Sequence, residues 1–389
     1  MTMRYRQFGS LDREVSALGF GCMRLPTLDG APQSERIDET QTIAMIRLAI
    51  DRGVNYVDTA YPYHNGASEA VLGKALRDGY RARVKLTTKS PVWMIQKAGD
   101  FDVHLDVQLK RLGTDHLDFY LLHALNAPRW QSMLSLGVLP RAEAAIKDGR
   151  IGRLGFSFHD RYEVFKDILD GYDQWALCQI QYNYLDIENQ AGTRGLKDAA
   201  ARGIAVVVME PLLGGRLSRP PQAICDVLDD YPEKRTPSYR ALQWVWDQPE
   251  VSVLLSGMST LGQVEENLGS AERSGIHTLT AEDAGLIDRV RLLYREKVLV
   301  PCTNCGYCLP CPSGVNIPQN FELYNDGFIH DSPTYSRAVY SRFLTTEQRA
   351  NACTQCGVCL EKCPQNIAIS DELTNVNAVL GEGRPYEKK

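Results

Sequence analysis

Cys302, Cys305, Cys308 and Cys311 stand two residues apart and end on Pro312; Cys353, Cys356, Cys359 and Cys363 repeat the comb and end on Pro364. Thiolates at this spacing reach three corners of an iron–sulfur cubane, and the fourth corner is filled from elsewhere in the chain, commonly from the other comb. The pattern predicts two 4Fe–4S clusters, one on Cys302, Cys305, Cys308 and Cys363, the other on Cys353, Cys356, Cys359 and Cys311. Structural zinc is the competing chemistry. A zinc ribbon, however, offers two Cys-x-x-Cys pairs around one tetrahedral ion, whereas each comb here supplies three thiolates at close spacing, more than one hairpin can aim at a single ion. The first comb has two residues rather than three before its last cysteine, so Cys311 is the ligand whose spacing departs from the pattern.

A second constellation lies far upstream. Asp58, Lys89, His123, Ser157 and Gln179 each fall at the end of a short apolar run, with Tyr63 in the loop after the second run. Singly, such a residue caps the next helix or meets water. Together, an Asp, a Lys, a Tyr and a His make an acid–base device. Asp58 would hold Lys89, and the ammonium would lower the Tyr63 phenol from its ordinary value of about 10. Tyr63 could then give a proton to a carbonyl oxygen as hydride reaches the carbon, with His123 orienting the carbonyl.

The elements that must position these residues recur at intervals of roughly 30 residues. The apolar runs are Ala17–Met23, Asn55–Ala60, Val84–Lys89, Leu117–His123, Ile151–Ser157, Cys178–Asn183, Gly203–Met209 and Val251–Met258. Between them the pattern turns helical. Thr40–Arg52 aligns Ile43, Ile46 and Ile50 and ends at Gly53; Glu69–Arg77, capped by Ser68, aligns Val71, Leu72 and Leu76. Phe101–Arg111 aligns Phe101, Leu105 and Leu109 before Gly113, and Thr280 caps Ala281–Lys297. Eight strands each followed by a helix predict an α/β fold of the closed (β/α)8, or TIM, barrel type, whose chemistry sits at the C-terminal strand ends. The runner-up, a doubly wound sheet, lacks its Gly-x-Gly-x-x-Gly after the first strand. Phe321, Leu323, Tyr324 and Phe328 predict a mainly helical segment between the combs, and the domain boundary falls near residue 298, giving 1–298 and 299–389.

Composition narrows the setting. The net charge of −5 comes without a long basic run, which speaks against nucleic acid. No apolar stretch approaches the ~20 residues needed to span a bilayer, which predicts no membrane partner. Of 11 cysteines only Cys22, Cys178 and Cys225 lie outside the combs, the three reading as buried apolar residues; thiolate ligation needs reducing conditions and predicts a cytoplasmic protein. His64 and His159, beside the site strands, read as solvated rim or as substrate contacts.

The upstream residues resemble the aldo/keto reductase family. The resemblance rests on Val57-Asp58-Thr59-Ala60-Tyr61-Pro62-Tyr63, Gly66-Ala67-Ser68-Glu69, Leu72–Leu76, Thr87-Thr88-Lys89, Asp118–His123, Gly152–Ser157, Gln179–Asn183 and Gly257 through Asn267. It runs from residue 4 to about 295, and with the combs the whole chain is similar to a ferredoxin-fused branch of that family. The resemblance implies a catalytic tetrad of Asp58, Tyr63, Lys89 and His123 and a nicotinamide cofactor, NADH or NADPH, bound without a Rossmann fold. It places Ser157 and Gln179 on the carboxamide, and Met209, where a stacking tyrosine is usual, on the ring. Pro211, Leu212, Gly214 and Gly215 fall at the pyrophosphate, with Gly21 and Cys22 at the first strand end. Ser256, Gly257, Ser259, Gln263, Glu266 and Asn267 fall at the adenosine end. Phe158 replaces an Asn partner of the carboxamide, and Gly257, Ser259 and Gln263 stand where basic residues usually clamp a 2′-phosphate.

Hydride chemistry moves two electrons and a 4Fe–4S cluster moves one, so three readings are open. In the first, an iron–sulfur aldo/keto reductase-like oxidoreductase reduces a small-molecule carbonyl, or oxidises an alcohol, while its clusters carry electrons. In the second, a ferredoxin-coupled enzyme uses a flavin or stepwise one-electron chemistry, fed by a ferredoxin or another electron-transfer partner. In the third the barrel is non-catalytic and the chain only transfers electrons; the four tetrad residue types argue against it.

Overall fold

The computed structural model describes residues 2–30, 34–302, 308–363 and 367–386. They form two compact units, residues 1–218 with 238–279, and residues 219–237 with 280–389.

The first unit opens with a hairpin, β1 (Tyr5–Phe8) and β2 (Leu11–Ser16). Eight parallel strands follow: β3 (Leu18–Gly21), β4 (Tyr56–Asp58), β5 (Lys85–Ser90), β6 (Leu117–Leu125), β7 (Ile151–Phe158), β8 (Leu177–Gln181), β9 (Ala205–Met209) and β10 (Val251–Gly257). They hydrogen-bond in sequence order, and β10 pairs with β3 to close the barrel. All eight coincide with the apolar runs read from the sequence. The hairpin escapes that reading, because its strands alternate exposed and buried residues and border no helical pattern. It lies against the barrel interior: Phe8 is fully buried, its ring centroid 4.7 Å from that of Phe119 and 6.0 Å from that of Tyr56. Gly9 turns the hairpin at φ +56°, where a Cβ would stand 2.5 Å from the Gly203 carbonyl oxygen, so only glycine fits.

Strand parity sorts the core. Phe119 and Leu121, Leu177, Val207, Val253 and Leu255 belong to the inner cluster with Phe8 and Tyr56. Their neighbours Tyr120, Leu122, Cys178, Val206, Val208 and Leu254 belong to the outer cluster, with the buried faces of the surrounding helices.

The helices follow the predicted periods. Glu39–Asp51 buries Ile46 and Ile50, and Asp100–Leu112 buries Phe101, Leu105 and Leu109. Gly53 and Gly113 end them at φ +98° and +65°. One cap is different. Ser68 lies inside helix Ala67–Ala75, whose N-cap position is Gly66, and its hydroxyl donates to the Cys22 carbonyl at 3.1 Å. Tertiary contact with the first strand end outcompetes the local cap there.

The second unit is helical around its own core. Ile317–Ile329 and Pro333–Phe343 bury Phe321, Tyr324 and Tyr340 with Val315, Leu373, Val376 and Leu380. Ala281–Glu296 also belongs to this unit. No helix among the described residues is long and apolar enough to cross a membrane.

Candidate active site and cluster ligands

Parity explains why the tetrad converges. Asp58 is two residues beyond inward Tyr56, and His123 two beyond inward Leu121; Gln179 is two beyond inward Leu177. Each therefore projects inside the C-terminal mouth of the barrel. Lys89, at the end of β5, is fully buried, and its Nζ donates to Asp58 Oδ1 at 2.5 Å, the Thr59 carbonyl at 2.8 Å and the Tyr63 hydroxyl at 3.1 Å. Three acceptors match the three donors of an ammonium. Gln179 Nε2 holds the other carboxylate oxygen of Asp58 at 3.2 Å.

Burial pushes Asp58 upward, while the field and hydrogen bond of Lys89 and the hydrogen bond of Gln179 pull it down. Burial lowers Lys89, but Asp58 and Tyr63 overcome it, so the amine is raised. The two shifts compete for one proton, and the three-acceptor geometry favours the ion pair.

Tyr63 reverses one expectation. Burial pushes the phenol above its ordinary value; Lys89 pulls against that, and the Asp58 charge adds to it. The sequence predicts a lowering because it counts the ammonium and cannot count the loss of water. Tyr63 is consequently a protonated phenol at neutral pH. Its oxygen accepts from Lys89, which leaves its own O–H free to point at a substrate.

Strained backbone aims the two rings. After Tyr63, His64 and Asn65 hold φ of 51° and 53°. His64 fixes the turn: its Nε2 accepts from the Leu25 amide at 3.2 Å and its Nδ1 lies 2.8 Å from the Ser34 carbonyl. It is 1 % exposed, so the rim or substrate reading of His64 is replaced by a buried anchor. At His123 the β6–β7 register slips between Leu122 and Leu125, and Ala124 takes φ 53°. The Ser157 hydroxyl accepts the Ala124 amide at 2.7 Å and so pins the bulge. The His123 ring stands edge-on to Tyr63, centroids 6.0 Å apart, and its Nδ1 is buried without a hydrogen-bond partner. Burial first, then the charges of Lys89, His159 and Arg129, hold its pKa well below the ordinary range, so the imidazole is neutral.

Ser157 and Gln179 are paired in register and each is 1 % exposed. The Ser157 hydroxyl is used as an acceptor and keeps its hydrogen; Gln179 uses its NH2 on Asp58 and keeps its Oε1. One free donor beside one free acceptor complements a primary carboxamide, and the residues present fit a nicotinamide. At the end of β9, Glu210, Leu213, Gly214 and Gly215 all take positive φ. Space above Gly215 is open: a Cβ placed there would find its nearest neighbour, the Ser218 hydroxyl, 4.0 Å away. Met209 and Leu212 are half-buried beside that turn, and Pro211 is buried.

The adenosine-end residues are partly committed within the chain. Asn267 Nδ2 donates to Ser256 Oγ at 3.0 Å, and Gln263 Oε1 accepts the Ser259 amide at 2.7 Å; Glu266 is exposed. Sequence reasoning overlooks a cation here. Arg24 packs on Gly257, accepts the Ser259 hydroxyl on its carbonyl at 2.7 Å, and pairs through Nη2 with Glu210 Oε1 at 3.2 Å. The other Glu210 oxygen takes the Gly214 amide. A carboxylate thus fills the guanidinium-and-amide corner that an anionic group would use. Arg24 comes at the first strand end, so the strand-end rule applied to Cys22-Met23-Arg24 would have found it. Gly21 pairs with Gly257 and Asp58, and Cys22 is buried.

In the second unit, Cys302, Cys311, Cys353, Cys359 and Cys363 pack against the apolar core, Cys308 is part of it, and Cys356 is exposed. Burial first, then the charges of Cys353, Cys311 and Cys356, push the Cys359 thiol up. The donor chemistry fits the 4Fe–4S assignment; Cys305 lies outside the described residues, and among the described residues no group of three or more His, Cys, Asp or Glu is drawn together as a single metal ion would require.

Comparisons with known proteins agree with the barrel and the C-terminal cluster domain. Residues 17–291 match the model of the aldo/keto reductase family, and residues 301–368 match a 4Fe-4S dicluster domain. The chain is 25% identical to L-galactose dehydrogenase of Arabidopsis thaliana, over 80% of this chain and 98% of that protein. An aldo-keto reductase from Bacillus halodurans, solved in a holo form, is 27% identical with a TM-score of 0.61, covering 74% of this chain and 96% of its own. An aldo-keto reductase from Klebsiella pneumoniae, solved in complex with NADPH, is 27% identical with a TM-score of 0.59, covering 75% and 96%.

Proposed function

The chain belongs to the aldo/keto reductase family and carries a C-terminal 4Fe-4S dicluster domain, and from that premise we propose an oxidoreductase that reduces a small-molecule carbonyl, or oxidises the matching alcohol. Tyr63 is its general acid in reduction and its general base in oxidation. The observation that carries the reading is the buried Lys89 ammonium, with Asp58 and Thr59 on two of its donors and Tyr63 on the third.

In the reduction direction the substrate oxygen lies between the Tyr63 hydroxyl and the neutral imidazole of His123. Tyr63 donates the proton as negative charge grows on that oxygen. Lys89, already aimed at the phenol oxygen, stabilises the phenolate left behind, and Asp58 keeps Lys89 charged and in place. Ser157 and Gln179 would hold a nicotinamide carboxamide, and the Gly214-Gly215 turn with Arg24 would hold the phosphates once Glu210 gives up the guanidinium and the Gly214 amide; the bound dinucleotide would supply hydride. Cys302, Cys305, Cys308 and Cys363, with Cys353, Cys356, Cys359 and Cys311, would hold two 4Fe–4S clusters, which supply or accept single electrons.

The shifted groups set the pH profile. The His123 pKa is depressed, so reduction shows no inflection near the ordinary imidazole value of about 6.5. The Tyr63 pKa is raised, so reduction holds through neutral pH and falls only as the phenol ionises, while oxidation climbs on the alkaline side. Steady-state kcat/KM in both directions checks this; an acid inflection near the imidazole value would remove His123 from the neutral role.

The deciding experiment is an anaerobic titration of the iron-loaded protein with NADH and with NADPH, followed by visible absorption and EPR. Bleaching by one nucleotide is the expected result and names the cofactor. Clusters reduced by dithionite but by neither nucleotide would overturn the electron-sharing part and leave an external ferredoxin-type donor.

A further inference from the structure

Arg129 stands beside the tetrad without a part in the chemistry above. It lies in the first turn of helix Ala127–Ser135, and its Nη1 donates to the carbonyl of Ala124, the residue after His123, at 2.7 Å. Its guanidinium carbon lies 5.3 Å from the centroid of the Trp93 ring. That ring is 5.2 Å from His123, and Trp93 is 44% exposed. The guanidinium is thus held at the substrate side of the site, over an aromatic face that water reaches. Its charge is felt at both His123 and His159.

Among the described residues no carboxylate pairs with it. Asp160, at the same end of the barrel, is committed to the amides of Ala127 at 2.9 Å and Arg161 at 2.8 Å. A guanidinium offers five N–H donors in a planar fork, and one is spent on Ala124. A half-buried cation without a counter-ion is costly unless something binds it. The neighbouring groups add no second free positive charge, because His123 is neutral and the Lys89 donors are all used. One planar cation fits one planar monoanion, which is a carboxylate.

We propose that Arg129 recognises a carboxylate on the substrate, close to the reacting carbon, with Trp93 as the apolar wall, so that the site takes short oxo acids in reduction and hydroxy acids in oxidation. This rests on the carbonyl-reductase reading of the same site. Arg129 binds and orients; the proton still comes from Tyr63.

Phenylglyoxylate and methyl phenylglyoxylate differ in that charge and one methyl group and test the assignment on the intact protein. Wild type is expected to have the higher kcat/KM with the acid. In Arg129→Gln, which keeps an N–H for the Ala124 carbonyl, the acid-to-ester preference collapses by about ten- to a hundredfold, mostly through KM; Arg129→Lys keeps part of it. A wild-type preference for the ester, or equal losses on both compounds, overturns the proposal and leaves Arg129 a brace for the bulge. Binding of phenylglyoxylate, read by the tryptophan fluorescence change that Trp93→Phe removes, separates the two levels. If neither compound turns over but wild type binds the acid and Arg129→Gln does not, the carboxylate site stands and the reductase reading falls. If wild type neither binds nor turns over the acid, the proposal falls.

Discussion

Replacing Tyr63 by Phe is expected to lower carbonyl reduction by about 10²- to 10⁴-fold while cluster absorption stays at the wild-type level. The substitution removes one oxygen. The ring keeps its place edge-on to His123 and its face toward Lys89, whose Nζ lies 4.7 Å from the ring centroid. What is lost is the proton donor and the only acceptor on the third Lys89 donor, at 3.1 Å. Lys89 stays charged, since Asp58 and the Thr59 carbonyl still hold it. The effect therefore falls on kcat far more than on KM or on folding. Turnover unchanged in Tyr63→Phe would sink the tetrad assignment. Loss of cluster absorption together with activity would instead point to a folding defect, and the far-ultraviolet spectrum tells the two apart.

The sequence made the barrel legible because period 2 and period 3.6 alternate cleanly along it, and because parity alone aims Asp58, His123 and Gln179 into the mouth. It could not show what depends on water or on distant chain. The direction of the Tyr63 shift turns on burial, which no spacing encodes. Ser68 reads as a cap until the Cys22 carbonyl, 46 residues away, claims its hydroxyl. Arg24 and Ser259 meet across 235 residues, so the cation absent from Gly257, Ser259 and Gln263 arrives from the opposite end of the barrel sequence. Arg129 is hidden for a related reason. It is one of many arginines in the sequence, and only the bulge at Ala124 and the turn carrying Trp93 bring it to His123. Chemistry carried by residue type and strand position is readable; chemistry carried by loop geometry is not.

Lys89→Met should destabilise the barrel unit by about 3–5 kcal/mol, the cost of leaving one member of a buried ion pair alone. Asp58 and Lys89 are each 1 % exposed at the side chain, so no water replaces the ammonium. Gln179 Nε2 is then the remaining hydrogen-bond donor to Asp58, at 3.2 Å, and one neutral amide does not compensate a buried carboxylate. Asp58 escapes by taking up a proton, as the upward push of burial already favours. The loss of stability is accordingly greatest at neutral and alkaline pH and shrinks as pH falls and the carboxyl is protonated. The double variant Asp58→Asn/Lys89→Met removes the stranded charge and should recover most of the loss, yet remain without activity, because nothing then steadies the Tyr63 phenolate. Urea unfolding followed by tryptophan fluorescence measures this in the right place: Trp93, Trp130, Trp175, Trp244 and Trp246 are the chain's 5 tryptophans, and all fall in the barrel unit. A single variant as stable as wild type would mean that Asp58 and Lys89 share their proton as a neutral pair, and the tetrad would then have no cation with which to work.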